Sequence, residues 1–131
     1  MTKNGFSLVE IIVVIGIVST VIAFTIPTVS NIKESLDINL SAKTISSLLR
    51  KCQQEAISKC ENISIVLELS QVSYDNKIIK IPGNVKIKTP QKVIFSSSGN
   101  PVPGFFGTIA IASKNYEKKI VISPYGRIRV G

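Results

Sequence analysis

The sequence predicts an α+β protein, in which a long N-terminal helix, its first half transmembrane, packs on an antiparallel β-sheet head. Three features support this: an apolar run of 21 residues from Phe6 to Ile26, a following segment with apolar side chains every three or four residues, and short β-rich runs between turn formers after Ile63. We expect a leader at residues 1–5, a membrane helix at 6–27, the amphipathic half of the same helix at 28–62, and the head at 63–131.

The apolar run is long enough to cross a membrane. At about 1.5 Å per residue, a helix of this length spans roughly 30 Å, which is the thickness of a bilayer's hydrocarbon core. Its single charge is Glu10, and an unpaired carboxylate in such a helix is unfavourable. We therefore expect Glu10 to have a cationic partner. The alternative is a plain signal-anchor helix with this glutamate near the membrane interface.

A short polar leader precedes the apolar run. It contains one lysine, Lys3, and ends with Gly5. A secretory signal has its cleavage site after the apolar region, whereas the candidate site here lies before it. Cleavage after Gly5 would leave the apolar helix on the mature protein.

The arrangement Gly5-Phe6-Ser7-Leu8-Val9-Glu10 closely resembles the type III signal sequence of type IV prepilins and type II secretion pseudopilins. The resemblance implies a single-pass protein of the bacterial inner membrane with its head on the periplasmic side. It also implies cleavage between Gly5 and Phe6 by a prepilin peptidase that N-methylates Phe6, and assembly with other pilins or pseudopilins in a helical filament. The partner that it implies for Glu10 is the charged amino group of Phe6 on a neighbouring subunit, since pairing lowers the cost of both charges in hydrocarbon.

The helix is expected to continue beyond the apolar run to about Asn62. Pro27 removes a backbone donor and should kink or loosen the helix, and in the pilin family a proline at this distance from the mature N-terminus is associated with a bend. The apolar residues beyond it have the spacing of an amphipathic helix with one buried stripe. They are Val29, Ile32, Leu36, Leu40, Ile45, Leu48, Leu49, Cys52, Ala56, Ile57 and Cys60.

The two cysteines are expected to be free, buried thiols. On one helix Cys52 and Cys60 would have Cα atoms roughly 12 Å apart, whereas a disulfide needs less than about 7 Å. A disulfide would require the helix to end before Cys60. Their spacing matches no zinc pattern and the chain has no histidine, so we predict neither a metal site nor a cofactor.

The chain contains no recognisable catalytic motif. Neither a Gly-rich phosphate loop nor a serine nucleophile elbow is present in the sequence. We therefore predict that the protein is not an enzyme, with a membrane-anchored envelope enzyme as the alternative from a different functional class.

Short β-rich runs follow the helix, and turn-forming residues separate them. Asp75-Asn76 and Pro82-Gly83-Asn84 are two of these separators. The pattern predicts an antiparallel sheet domain. The predicted strands are 63–69, 77–81, 85–88, 92–96, 108–112, 118–123 and 127–130.

Parts of this region resemble the FimT/GspH-type minor pilins and pseudopilins. The resemblance rests on the helix end Glu55-Ala56-Ile57, the run Ile63 to Leu67, the Val93-Ile94-Phe95 strand and the closing hairpin from Ile120 to Val130. That branch often has an arginine two residues before the helical glutamate. This chain has Gln53 there.

The closing hairpin allows a prediction of register. If residues 124–126 form a three-residue loop with Gly126 in the left-handed conformation as a G1 bulge, then Ser123 faces Arg127. The side chains of the two strands then separate by character. Ile120, Ile122, Ile128 and Val130 lie on one face, and Lys119, Val121, Ser123, Arg127 and Arg129 lie on the other.

Arg127 and Arg129 are candidates for binding DNA. Two guanidinium groups about 7 Å apart on one strand face, with Lys119 nearby, suit consecutive phosphates of a nucleic-acid backbone. With Gly126 at the turn, the motif resembles the C-terminal Gly-Arg-Xaa-Arg through which FimT-type minor pilins of naturally competent bacteria bind DNA. The alternative is that alternating arginines protect an edge strand from pairing with another sheet edge.

The charge balance agrees with an anionic partner. The chain has 16 Lys and Arg against 8 Asp and Glu, and only Lys3 and Glu10 precede Asn31. The excess of +8 therefore belongs to residues 31–131, which have 15 basic and 7 acidic side chains. We expect a minor pilin of a type IV pilus that binds DNA non-specifically for uptake, or alternatively a type II secretion pseudopilin that acts in protein export without binding DNA.

Overall fold

The computed structural model describes residues 7–131, and for residues 26–28 it describes the backbone alone. The predictions on Gly5 and Phe6 lie outside the described residues. One helix, α1, is followed by eight strands. The elements are α1 Leu8–Lys59, β1 Ile63–Leu67, β2 Gln71–Tyr74, β3 Lys77–Lys80, β4 Lys86–Ile87, β5 Gln91–Phe95, β6 Gly107–Ala112, β7 Glu117–Ile122 and β8 Ile128–Val130.

The strands form two four-stranded antiparallel sheets. Sheet 1 has the order β3-β2-β1-β5, and sheet 2 has the order β4-β6-β7-β8. The inward faces of both sheets and the C-terminal part of α1 contribute to one hydrophobic core. The α+β prediction is therefore confirmed. Contacts divide the chain into two compact units, Met1–Lys33 and Glu34–Gly131, and the core lies in the second, which we call the head unit.

The first unit contains the apolar part of α1. Every described side chain from Leu8 to Thr25 is exposed, on all sides of the helix. By its length and composition, α1 is the one helix in the described part of the chain that could cross a membrane. It continues through Pro27, whose bend stays a prediction.

Within the head unit, one stripe of α1 is buried. Its members recur every three or four residues and lie on one side of the helix, as predicted. Leu36, Leu40 and Ile57 were predicted to lie on the buried stripe, but they are exposed, so the prediction was wrong for them. It was wrong for Val29 and Ile32 for the same reason. At 100° per residue, Leu36 and Leu40 lie on the side of α1 opposite the buried stripe. The buried residues are Ile38, Ala42, Ile45, Leu49, Cys52 and Ala56.

α1 ends at Lys59, before the predicted end at Asn62. Cys60 adopts the left-handed conformation with φ of 54°, and the N–H of Glu61 donates to the carbonyl oxygen of Ala56 at 3.3 Å. These are the features of a Schellman cap, in which this position is usually glycine. The cap turns the chain away from the helix and towards β1.

The two cysteines on either side of the helix end differ in burial. Both thiols are free, as predicted. Cys52 is fully buried, and burial raises the pKa of its thiol to about 12. Cys60 lies beyond the helix end and is exposed, so the prediction that it is buried was wrong.

β2 is a strand that the sequence pattern did not predict. It pairs with β3 across Asp75 and Asn76, which both have positive φ, 49° and 57°. Two consecutive residues of this kind form the type I′ turn of a tight hairpin, which requires a strand on each side. The inward side chains of β2, Val72 and Tyr74, are buried.

Candidate nucleic-acid interface

The closing hairpin has the predicted register. Ile122 pairs with Ile128, and the N–H of Ser123 donates to the carbonyl oxygen of Arg127 at 2.9 Å. Gly126 has φ of +74°, and its N–H donates to the carbonyl oxygen of Ser123 at 3.0 Å. The three-residue loop with a glycine in the left-handed position is therefore confirmed.

Gly126 is required by space as well as by conformation. It is buried, and a Cβ atom there would lie 2.6 Å from Nε2 of Gln53 and 2.8 Å from the carbonyl oxygen of Gly99. A side chain would therefore displace the turn at Gly99 or the amide of Gln53. The geometry that orients Arg127 depends on this close approach.

Gln53 connects α1 to both turns. Its Nε2 donates to the carbonyl oxygen of Gly99 at 2.7 Å and to the carbonyl oxygen of Gly126 at 3.1 Å. One amide group thus joins the closing hairpin to the helix and to the turn after β5. The sequence analysis noted Gln53 only as a departure from the resemblance and missed this role. The signal was a polar residue at the margin of the buried stripe of α1.

The three cations predicted for DNA binding lie on one surface. Ile120, Ile122 and Ile128 point inward and are buried, so the register places Lys119, Arg127 and Arg129 outward, where all three are exposed. Arg127 and Arg129 line one shallow groove, and Arg129 and Lys119 line the next. The first groove is completed by Val121, Ser123 and Tyr125, whose side chain is 88% exposed.

Neither arginine has a carboxylate partner among the described residues. Across residues 7–131, no carboxylate forms an ion pair with Arg127 or Arg129, whereas Lys59 and Lys88 each pair with a glutamate. An unpaired guanidinium presents its donors to solvent in a fork that matches a phosphate. The surface is therefore suited chemically to a polyanion.

Glu34 of α1 forms hydrogen bonds with the loop between β6 and β7, at the end of β7 away from the closing hairpin. Its Oε1 accepts hydrogen bonds from Ser113 Oγ at 2.6 Å and from the backbone N–H of Asn115 at 2.8 Å, and its Oε2 accepts one from Asn115 Nδ2 at 2.9 Å. These bonds, that from the Ser113 hydroxyl first, lower the pKa of Glu34 below its ordinary value of 4.5. The loop between β6 and β7 is thus tied to α1.

The described residues contain no metal centre. Nowhere in residues 7–131 do three or more His, Cys, Asp or Glu side chains converge in a way that would hold a metal ion. The chemistry that this surface offers is electrostatic binding.

Two solved structures share the fold. Both are crystal structures of the type IV minor pilin FimU from Pseudomonas aeruginosa strain PAO1, each 20% identical to this chain. The alignments cover 71% of this chain and 91% of FimU with a TM-score of 0.56, and 75% and 90% with a TM-score of 0.60. The sequence matches no protein-family model and no curated protein. The likeness to FimU is therefore one of fold.

Proposed function

We propose that the protein is a minor pilin of a type IV pilus that assembles through its apolar helix and binds DNA through its closing hairpin. The observation that carries the proposal is the combination of a minor-pilin fold with an apolar helix that is exposed on every side. A surface of this kind needs lipid or other helices around it.

The position of Glu10 supports assembly. Among residues 7–131 its carboxylate has no hydrogen-bond or ion-pair partner, although it lies in the apolar part of the helix. In hydrocarbon such a charge calls for a cation. The amino group of Phe6 on a neighbouring subunit, exposed when prepilin peptidase cleaves after Gly5, would supply it.

The exposed stripe of Leu36 and Leu40 also supports assembly. These side chains are 63% and 55% exposed, and they lie opposite the stripe that packs in the head. In the first unit, Val29 and Ile32 are exposed as well. Neighbouring helices in a filament would remove this apolar surface from water.

The closing hairpin supports DNA binding. Gly126 and Gln53 hold the turn, so that Arg127 and Arg129 project from one face without partners among the described residues. Because the contacts are to phosphates, binding is independent of sequence and weakens as salt rises. β8 lies at an edge of sheet 2, so protection of that edge is the competing role for its arginines.

Mass spectrometry of the protein isolated from its native membrane tests the first half of the proposal. We expect a mature chain that begins at Phe6 and carries one additional methyl group. A chain that still begins at Met1, or one that lacks the whole apolar run, would contradict it.

Binding of fluorescent duplex DNA to the full chain in detergent tests the second half. We expect binding that falls steeply with salt, and Arg127→Ala and Arg129→Ala should each reduce the slope of log K against log salt by about 0.9. Lys92→Ala is the matched control, because Lys92 is an exposed cation on the outer face of sheet 1. If both arginine variants bind as the wild type does, the hairpin is not the DNA site. If the wild type does not bind DNA either, the alternative of a type II secretion pseudopilin that acts in protein export is favoured.

A further inference from the structure

The outer face of sheet 2 carries a second row of cations on β4. Lys86 pairs with Ala112 of β6, and the N–H of Lys88 donates to the carbonyl oxygen of Ala110 at 2.8 Å. Ile87 between them is fully buried, so both lysines point to the outer face, where they are exposed. This is the same face that presents Arg129.

Small side chains separate the two rows. β6 lies between β4 and β7, and its outward residues are Thr108, Ala110 and Ala112. With strands about 4.8 Å apart, Lys119 of β7 lies two strands from β4, or about 10 Å, and Arg129 of β8 lies three strands from it, or about 14 Å. The face is therefore a strip of small side chains with a cationic wall on each side, and the ion pair between Lys88 and Glu117 of β7 crosses this strip.

We propose that the ligand of this face is duplex DNA, held by both walls at once, with Lys86 and Lys88 contacting the second phosphate strand. The inference rests on the proposed DNA binding and extends it to a surface that the closing hairpin does not include. A single strand has one line of phosphates and would need only one wall. In a duplex, two phosphate strands flank the minor groove, so each wall can contact one of them.

Glu117 is the one carboxylate that the described strands place on this face. Its Oε2 lies 2.7 Å from Nζ of Lys88. Lys88 above all, and Lys119 to a lesser degree, lower the pKa of Glu117 below its ordinary value, so the carboxylate is charged at neutral pH. In the free protein Glu117 therefore neutralises part of the β4 wall and repels a phosphate that approaches it.

The test compares duplex and single-stranded DNA of equal length on the full chain in detergent. Lys86→Ala should weaken duplex binding about eightfold at 0.1 M salt and reduce the salt slope by about 0.9, which is the effect of one phosphate contact. Glu117→Gln should strengthen duplex binding, because it releases Lys88. Lys92→Ala on sheet 1 should change neither quantity, and the wild type should bind the duplex more tightly than the single strand.

Three outcomes would overturn the inference. They are equal effects of Lys86→Ala and Lys92→Ala, no gain from Glu117→Gln, and equal affinity for the two forms of DNA. If Arg127→Ala still weakens binding and lowers the salt slope in those cases, the hairpin alone holds the DNA and the proposed function stands. If the wild type does not bind DNA at all, both the inference and the proposed DNA binding are wrong.

Discussion

The apolar half of α1 and the half within the head unit differ in what covers their apolar side chains. From Leu8 to Thr25 every described side chain is exposed, whereas Ile38 and Ala56 bound a stripe that is almost completely buried. The head supplies the cover for the second half from its own sheets. The first half has apolar residues all round, so its cover has to come from lipid or from other chains.

The two glutamates Glu10 and Glu34 repeat this difference. Glu34 accepts hydrogen bonds from Ser113 and Asn115 of its own head unit. Glu10 has no side-chain partner in the described part of the chain. One acid is therefore satisfied by folding, and we infer that the other is satisfied by assembly.

The largest effect is expected from Glu10→Gln, which removes the single charge from the apolar half of α1. The variant should still be cleaved after Gly5, but its incorporation into filaments should be lost, because the isosteric amide cannot pair with a charged amino group. Immunoblots of sheared filaments against membrane fractions measure the change. Glu34→Gln is the matched control and should assemble normally. Equal incorporation of Glu10→Gln and the wild type would remove the pairing argument.

The next largest effect, on the free energy of unfolding, is expected from substitutions in the buried and exposed stripes of α1 within the head unit. Leu49→Ala removes a fully buried side chain and should lower the free energy of unfolding by about 2 to 5 kcal/mol. Leu36→Ala removes a side chain that is 63% exposed. It should change the free energy of unfolding by less than about 0.5 kcal/mol. Chemical denaturation of the full chain in detergent provides the values. A Leu36→Ala variant as unstable as Leu49→Ala would mean that the exposed stripe is covered within the same chain.

The smallest effect is expected from Glu34→Gln, as a dependence of stability on pH. The pKa of Glu34 is lowered in the folded state, so its charge adds stability above its ordinary value of 4.5, and that stability is lost as the pH falls through the folded pKa. Thermal unfolding should show a slightly lower Tm for the variant at pH 7, and the difference should shrink as the pH falls below 4.5. A difference that persists unchanged at pH 3 would show that the charge is not what matters.

Local patterns predicted a large part of this architecture. The apolar run and the three- and four-residue spacing after it predicted α1, and turn formers predicted most strands of both sheets. β2 was not predicted because it is only four residues long and half polar. Its inward side chains, Val72 and Tyr74, therefore do not form a recognisable pattern in the sequence. The hairpin register followed from Gly126 and the alternation around it, because register is a local property of a tight turn.

The two errors on α1 have different physical causes. Periodicity shows that Leu36 lies on an apolar stripe, but it does not show which stripe meets the sheets. Only the contacts made by the distant strands decide that. Cys60 also fits the spacing, yet it adopts the left-handed conformation itself and ends the helix in a local cap.

By itself, the sequence determined most of the elements, the apolar helix with its single acid, and the outward direction of Arg127 and Arg129, because each depends on neighbours within a few residues. Only the tertiary structure decided that Gln53 holds two turns and that the lysines of β4 share a face with those arginines. Those relations join segments more than thirty residues apart, and pairing between strands and helix, rather than local preference, brings them together.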